Sequence, residues 1–153
     1  MNKSAYYLYN NAAITAGAIV SILNSIDRID LARITLFLPL LLDDNIVGKI
    51  NEKSNYSFEN IVSLNALNIS NFNERYRDIL PLFMDALSIL LDLEVIALRG
   101  PFIVKLKPEF CISMLNVCES MRLRTISIAA SKLINVTQNV DLSKMYLRLN
   151  IKL

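Results

Sequence analysis

Between Asn11 and Ile26 the chain has almost no polar side: Ala12, Ala13, Ile14, Ala16, Ala18, Ile19, Val20, Ile22 and Leu23 point in nearly every direction of a helical wheel. A helix with no face to offer water must be enclosed by other elements around most of its circumference. Its small residues permit close approach of the neighbours that enclose it.

The enclosure is not lipid. The uncharged stretch from Ala5 to Ile26 is broken by Asn10, Asn11, Thr15, Ser21, Asn24 and Ser25, which leaves Ala12 to Leu23 as its apolar heart. A crossing helix needs about 20 apolar residues. Lys3 precedes the stretch as in an export signal, but Tyr6-Tyr7-Leu8-Tyr9-Asn10-Asn11 is a poor entry to an apolar region. The expectation is a cytoplasmic protein with neither membrane segment nor leader.

A chain of 153 residues makes about one domain and can bury roughly two thirds of its unfolded surface. Here 54% of residues are apolar, 20% are charged, and the mean hydropathy is +0.40. Average domains stand near 45–50% apolar and about 25% charged. With a membrane set aside, the surplus points to a partner protein. No repeat or linker is apparent, and three glycines and four prolines are too few to mark one, so residues 1–153 read as a single domain.

Further along, Ile34-Thr35-Leu36-Phe37-Leu38-Pro39-Leu40-Leu41-Leu42 is a continuous apolar run ending at Asp43-Asp44. It is a buried strand or a short helix entered at Pro39; periodicity does not separate the two. Gly48, Asn51, Ser54 and Asn55 make Asn45 to Ser57 read as an exposed connection. A long helix then starts after Asn71 or Asn73 and runs to about Asp92. Tyr76, Ile79, Leu80, Phe83, Met84, Leu87, Leu90 and Leu91 form its core face; Leu82, Ile89 and Leu93 widen the apolar arc beyond the ~100° stripe that one contact requires. The helix is expected to pack on two sides, and Pro81 either kinks it or begins a new segment.

Glu94-Val95-Ile96-Ala97-Leu98, a turn at Arg99-Gly100-Pro101, and Phe102 to Lys107 predict a β-hairpin, with Phe102, Val104 and Leu106 on one face and Ile103, Lys105 and Lys107 on the other. A helix leading into a hairpin is the order of a winged helix. Two helical patterns follow: Phe110, Met114, Leu115, Cys118 and Met121 share one face, then Ile126, Ala130, Leu133 and Ile134 share another. At the end, Leu147, Leu149, Ile151 and Leu153 alternate with Arg148, Asn150 and Lys152, which predicts a closing strand. The expected class is α+β, mainly helical: a winged-helix-like domain with a β-hairpin wing and a C-terminal strand.

Catalysis has little to work with. The sequence has no histidine, the commonest general base and transition-metal ligand, and no phosphate-binding or nucleophile-elbow motif. Asp43-Asp44 reads as a solvated helix end. Asp78, Asp85 and Asp92 recur every seven residues, the spacing of a wet helix face rather than of a metal site. Cys111 and Cys118 fall in an apolar helical pattern and read as reduced core thiols. No enzyme activity, cofactor or metal is expected. Lys105 and Lys107 on the hairpin, with Arg122, Arg124 and Lys132 beyond it, are the candidates for nucleic-acid contact, set against a net charge of only +2. Ile128, amid Arg124, Ser127, Ser131, Lys132 and Asn135, joins Leu82, Ile89 and Leu93 as a candidate protein contact.

Four segments carry a resemblance. Asn11 to Ala18 resembles the small-residue helix that opens the middle components of three-component ABC-ATPase systems, and Leu36-Phe37-Leu38-Pro39-Leu40-Leu41-Leu42 their Leu-Pro segment. Ala86-Leu87 through Val95-Ile96 is similar to their central helix and wing, and Tyr146-Leu147-Arg148-Leu149-Asn150-Ile151 to their terminal strand. Leu93-Glu94 and Asn150 stand where that family carries glycine, and both positions can adopt turn geometry. The resemblance implies a winged-helix-like adaptor that joins an SMC/Rad50-like ATPase to an effector, often a nuclease, as in Lamassu-type bacterial antiphage defence. DNA is reached through the complex, and the adaptor binds no ATP. The rival readings are a DNA-binding winged helix and a self-associating or toxin-neutralising module.

Overall fold

The computed structural model of the protein describes residues 10–52, 57–65, 69–117 and 120–152. Helix α1, Ala12–Ser25, starts at Asn11, whose side-chain oxygen accepts from the Ile14 N–H at 3.0 Å. Every residue from Thr15 to Leu23 is buried. The cover comes from α2 (Leu31–Leu41), α5 (Phe72–Asp92), α6 (Pro108–Val117) and α7 (Met121–Thr137), all of which pack on α1. Gly17 sets the distance of one of these contacts: a Cβ there would lie 2.6 Å from Leu123 Cδ2, so α1 and α7 meet where only a missing side chain leaves room. The buried hydroxyls are satisfied within the helix, Ser21 donating to the Gly17 carbonyl at 2.8 Å.

The apolar Leu-Pro run is helical. Asp30 caps α2 by accepting from the Ala32 N–H at 2.8 Å, and Pro39 sits inside the helix. α2 touches α1, α5, α7, the helix Asp44–Glu52 (α3) and the helix Leu142–Arg148 (α8), which is why no polar face interrupts it.

The segment after Asp43 is a helix and not an exposed connection. In α3, Asp44–Glu52, Ile46, Val47 and Ile50 fall on one side and pack against α7. Asp43 accepts from the Asn45 and Ile46 N–H groups at 3.0 and 3.1 Å. Gly48 faces open space. Ser54 and Asn55 lie outside the described residues. α4, Phe58–Leu64, follows, capped by Ser57.

α5 runs unbroken through Pro81, which is exposed. It ends in paired backbone bonds, Glu94 N–H to the Leu91 carbonyl at 2.9 Å and Val95 N–H to the Leu90 carbonyl at 3.0 Å, with Glu94 at φ 53°. This is a Schellman ending whose left-handed position holds a glutamate in place of the usual glycine.

The hairpin forms as β2 (Ile96–Arg99) and β3 (Phe102–Lys105) around Gly100 at φ 59°. Its faces alternate as expected, but the side carrying lysine turns inward: Ile103 is fully buried and Lys105 nearly so. The reason is a strand that the sequence reading missed. β1, Arg28–Asp30, pairs antiparallel with β3, Ile29 opposite Ile103, giving the sheet order β1-β3-β2.

α7 buries Ile126, Ala130, Leu133 and Ile134 as its pattern predicts. Met121 is not part of the preceding face: it opens α7 and is exposed. In α6 Phe110 is half-buried; Cys118 and the side chains of Met114 and Leu115 lie outside the described residues.

The expected C-terminal strand is absent from the described residues, and a helix stands in its place. α8, Leu142–Arg148, is capped by Asp141, which accepts from Ser143 N–H at 2.8 Å. Its buried side is Met145 and Leu149, four apart, while Leu147 is 81% exposed. The alternation of Leu147, Leu149 and Ile151 comes from a helical turn followed by a turn of chain, because Asn150 at φ 52° closes a second Schellman ending. The result is a mainly helical α+β protein with a small three-stranded antiparallel sheet.

Candidate interaction surface

α5 divides sharply. Phe72, Tyr76, Ile79, Phe83, Ala86, Leu87 and Leu90 are buried. Glu74, Arg77, Pro81, Met84, Asp85, Ser88, Ile89, Asp92 and Leu93 are exposed, at the three- and four-residue steps that keep one stripe on a helix. Among the proposed contacts, Ile89 and Leu93 lie on this stripe at 42% and 50% exposure. Leu82 does not: it is half-buried against the core. Ile128 is exposed, on a different helix, α7. Met84, assigned to the core by its spacing from Leu80 and Leu87, is 57% exposed; the buried arc centres on Phe83 and Leu90, and a weighting toward the larger side chains would have found it. Leu98 and Leu106 of the hairpin and Ile112 of α6 add further exposed apolar side chains.

Most of the candidate phosphate-binding cations face inward. Lys105 pairs with Asp27 at 2.9 Å. Lys107 donates to the Leu93 carbonyl at 2.8 Å, at the end of α5. Arg122 reaches Asp44 at 3.2 Å, the Asn10 side chain at 2.6 Å and the Leu42 carbonyl at 3.2 Å. Lys132 donates to the Ile50 and Asn51 carbonyls at the end of α3. A further cation, Arg33, donates to the Thr137 and Val140 carbonyls at 2.8 and 2.9 Å, closing α7. The last carbonyls of a helix have no partner within it and carry partial negative charge, so a cation there satisfies both needs. Arg124 is exposed, and among the described residues no acidic side chain pairs with it.

Several titratable groups are likewise committed. Asp43 caps α3 and pairs with Arg75, and Asp44 pairs with Arg122. Burial pushes the Cys111 thiol up. Lys144, at 2.7 Å, holds the Glu59 carboxyl below its ordinary value. Burial, then a hydrogen bond with Tyr76, pushes the Tyr146 phenol up to about 12. Among the described residues no three His, Cys, Asp or Glu side chains gather to hold a metal, and no helix is long and apolar enough to cross a membrane. A groove of about 330 Å³ beside β1 is lined mainly by Ile26, Ile29, Phe37, Phe102, Ile134 and Leu142, with Arg28 stacked 4.9 Å above the Phe102 ring.

Residues 2–152 match the family model of Middle Component 3 of ABC-three component (ABC-3C) systems. The chain belongs to this family. No curated protein and no solved structure matches it. A Middle Component 3 is one part of a multi-component ABC system, which implies partners within that system.

Proposed function

We propose that this Middle Component 3 is a non-catalytic, winged-helix-like adaptor that joins an SMC/Rad50-like ATPase to an effector, a nuclease, in a Lamassu-type cytoplasmic antiphage complex. The observation that carries the reading is the clustering of exposed apolar side chains. Met84, Ile89, Leu93, Leu98, Leu106 and Ile112 all come from α5, the hairpin and the start of α6. One contiguous piece of chain, residues 84–112, thus carries six of the exposed large apolar side chains, and grouped exposed apolar surface is a mark of a protein contact. The winged-helix description is supported by the hairpin that follows α5 and by the pairing of its second strand with β1, a short strand after the first helix.

The DNA-binding alternative is disfavoured. In a winged helix that reads DNA, the helix before the hairpin approaches the groove, and affinity comes from cations on phosphates. Here that helix is α5, whose exposed stripe carries Glu74, Asp85 and Asp92.

The test is co-expression of the tagged chain with its genomic neighbours and mass spectrometry of what co-elutes. Recovery of a long coiled-coil ATPase and a second protein is the expected result. A clean homo-oligomer, or the chain alone on duplex DNA, refutes the adaptor.

A further inference from the structure

We propose that the groove beside β1 seats an extended acidic segment of another component, one bulky apolar side chain of which fills it; this rests on the adaptor reading and adds the place and chemistry of one contact. Two observations meet there. β1 is an edge of the sheet. Its bonds to β3 run from the Asp27 carbonyl, which accepts from Lys105 N–H at 2.9 Å, through Ile29 opposite Ile103, to Leu31 N–H, which donates to the Pro101 carbonyl at 2.8 Å. Alternate residues of an antiparallel pair face their partner strand, so the N–H and carbonyl of Arg28 face away from the sheet. The groove, about 330 Å³, lies along this open edge. Arg28 and Ile29, whose side chains leave β1 on opposite faces, both line it, and α7 and α8 supply the far wall through Ile134 and Leu142.

An unpaired strand edge beside an apolar pocket is how extended peptides are held: main-chain bonds supply affinity, and pockets for alternate side chains supply specificity. β1 is three residues long, so the backbone offers few bonds and the pocket has to provide the anchor. Its volume is at the small end of ligand sites, which run from about 300 to 1,000 Å³, and that suits one bulky side chain.

Charge selects what flanks the anchor. Arg28 is exposed, stands 4.9 Å above the Phe102 ring, and forms no ion pair among the described residues. Arg99, opposite Phe102 in the sheet register, is likewise exposed and without an acidic partner among them. The neighbouring carboxylates are engaged: Asp27 pairs with Lys105, Asp30 caps α2 and Asp141 caps α8. A carboxylate beside the anchor therefore meets a guanidinium whose fork matches it. A second copy of the chain fits poorly, because pairing β1 with β1 about a two-fold axis sets Arg28 against Arg28.

The test uses the co-expressed complex. A photo-crosslinking benzoylphenylalanine replaces Gln138, an exposed residue of the groove wall, and Arg28→Glu is made separately. Arg28 is exposed, so the thermal melt of that variant should match that of the parent. The expected results are adducts within a partner segment that carries Asp or Glu next to a bulky apolar residue, and about a tenfold or greater drop in recovery of that partner with Arg28→Glu, reversed when the partner's acid is changed to lysine. If the complex forms but Arg28→Glu recovers every component in full, or Gln138 yields no adduct in such a segment, the inference is overturned while the adaptor reading stands. Adducts to a second copy of this chain, or a small carboxylate found in the groove by native mass spectrometry, also overturn it. If no partner co-elutes with the parent chain, the adaptor reading and this inference fall together.

Discussion

Replacing Glu94 by glycine should stabilise the protein, although it deletes a charged side chain with an ion-pair partner. Glu94 sits at φ 53°. A left-handed conformation costs a residue with a Cβ about 1–2 kcal/mol, and glycine avoids that cost. Glycine in turn loses more freedom on folding, about 0.5–1 kcal/mol. The side chain lost contributes little, since Glu94 stands 3.7 Å from Lys107 and the two are 80% and 41% exposed, where such a pair is worth about 0–0.5 kcal/mol. Lys107 keeps its bond to the Leu93 carbonyl, and the backbone bonds from Glu94 and Val95 need no side chain. The balance is about 0.5 kcal/mol of added stability, a rise in Tm of about 1–2 °C for a domain of this size. Calorimetry of the parent, Glu94→Gly and Asn150→Gly is the assay. Asn150, at φ 52°, should gain less, because asparagine tolerates this region. A lower Tm for Glu94→Gly, or a larger gain at Asn150, would refute the assignment of strain to Glu94.

Two other glycines should behave in opposite ways: Gly48→Ala, with open space at its Cβ, should add about 0.5–1 kcal/mol, while Gly17→Val should cost about 1–3 kcal/mol by forcing Leu123 aside; urea titration reads both. Arg33→Met should cost about 2–3 kcal/mol, because it leaves the Thr137 and Val140 carbonyls without their charged donor, and denaturant midpoints would show this. With its phenol raised from an ordinary 10 to about 12 by burial and Tyr76, Tyr146 favours the folded state fully below pH ~10, and this stability is lost as pH climbs through 12. Absorbance at 295 nm should show a late-ionising phenol that Tyr146→Phe removes, and that variant should unfold less steeply in alkali.

The helices α1, α5 and α7 were legible in the sequence because long apolar patterns leave no alternative to burial, and the hairpin because Gly100-Pro101 separates two strand-like runs. Several shorter elements were not. In α3 three apolar side chains, Ile46, Val47 and Ile50, outweigh the turn-forming composition around them, since α7 offers a surface to cover. β1 shows no alternation in three residues and exists only because Ile29 meets Ile103. Near the C-terminus a period of two in Leu147, Leu149 and Ile151 hid a helix whose buried residues, Met145 and Leu149, are four apart. Of the candidate contacts, Ile89, Leu93 and Ile128 are exposed, but Leu82 is half-buried, because a helix wheel cannot say how far neighbouring elements wrap around it. The inward cations were illegible for a related reason: their partners are helix-terminal carbonyls or side chains from elsewhere in the chain, and Arg33, for example, finds its carbonyls more than a hundred positions away.

The enclosure of α1 also imposes an order on synthesis. Its most extensive cover, α5 and α7, is translated long after it, α7 ending at Thr137. At about 5–20 residues per second, the most apolar helix of the chain stays uncovered for roughly 5–20 s after it is made. A ribosome that stalls, or a gene truncated before α7, therefore releases a sticky fragment, so the solubility of the nascent chain is decided by its C-terminal half.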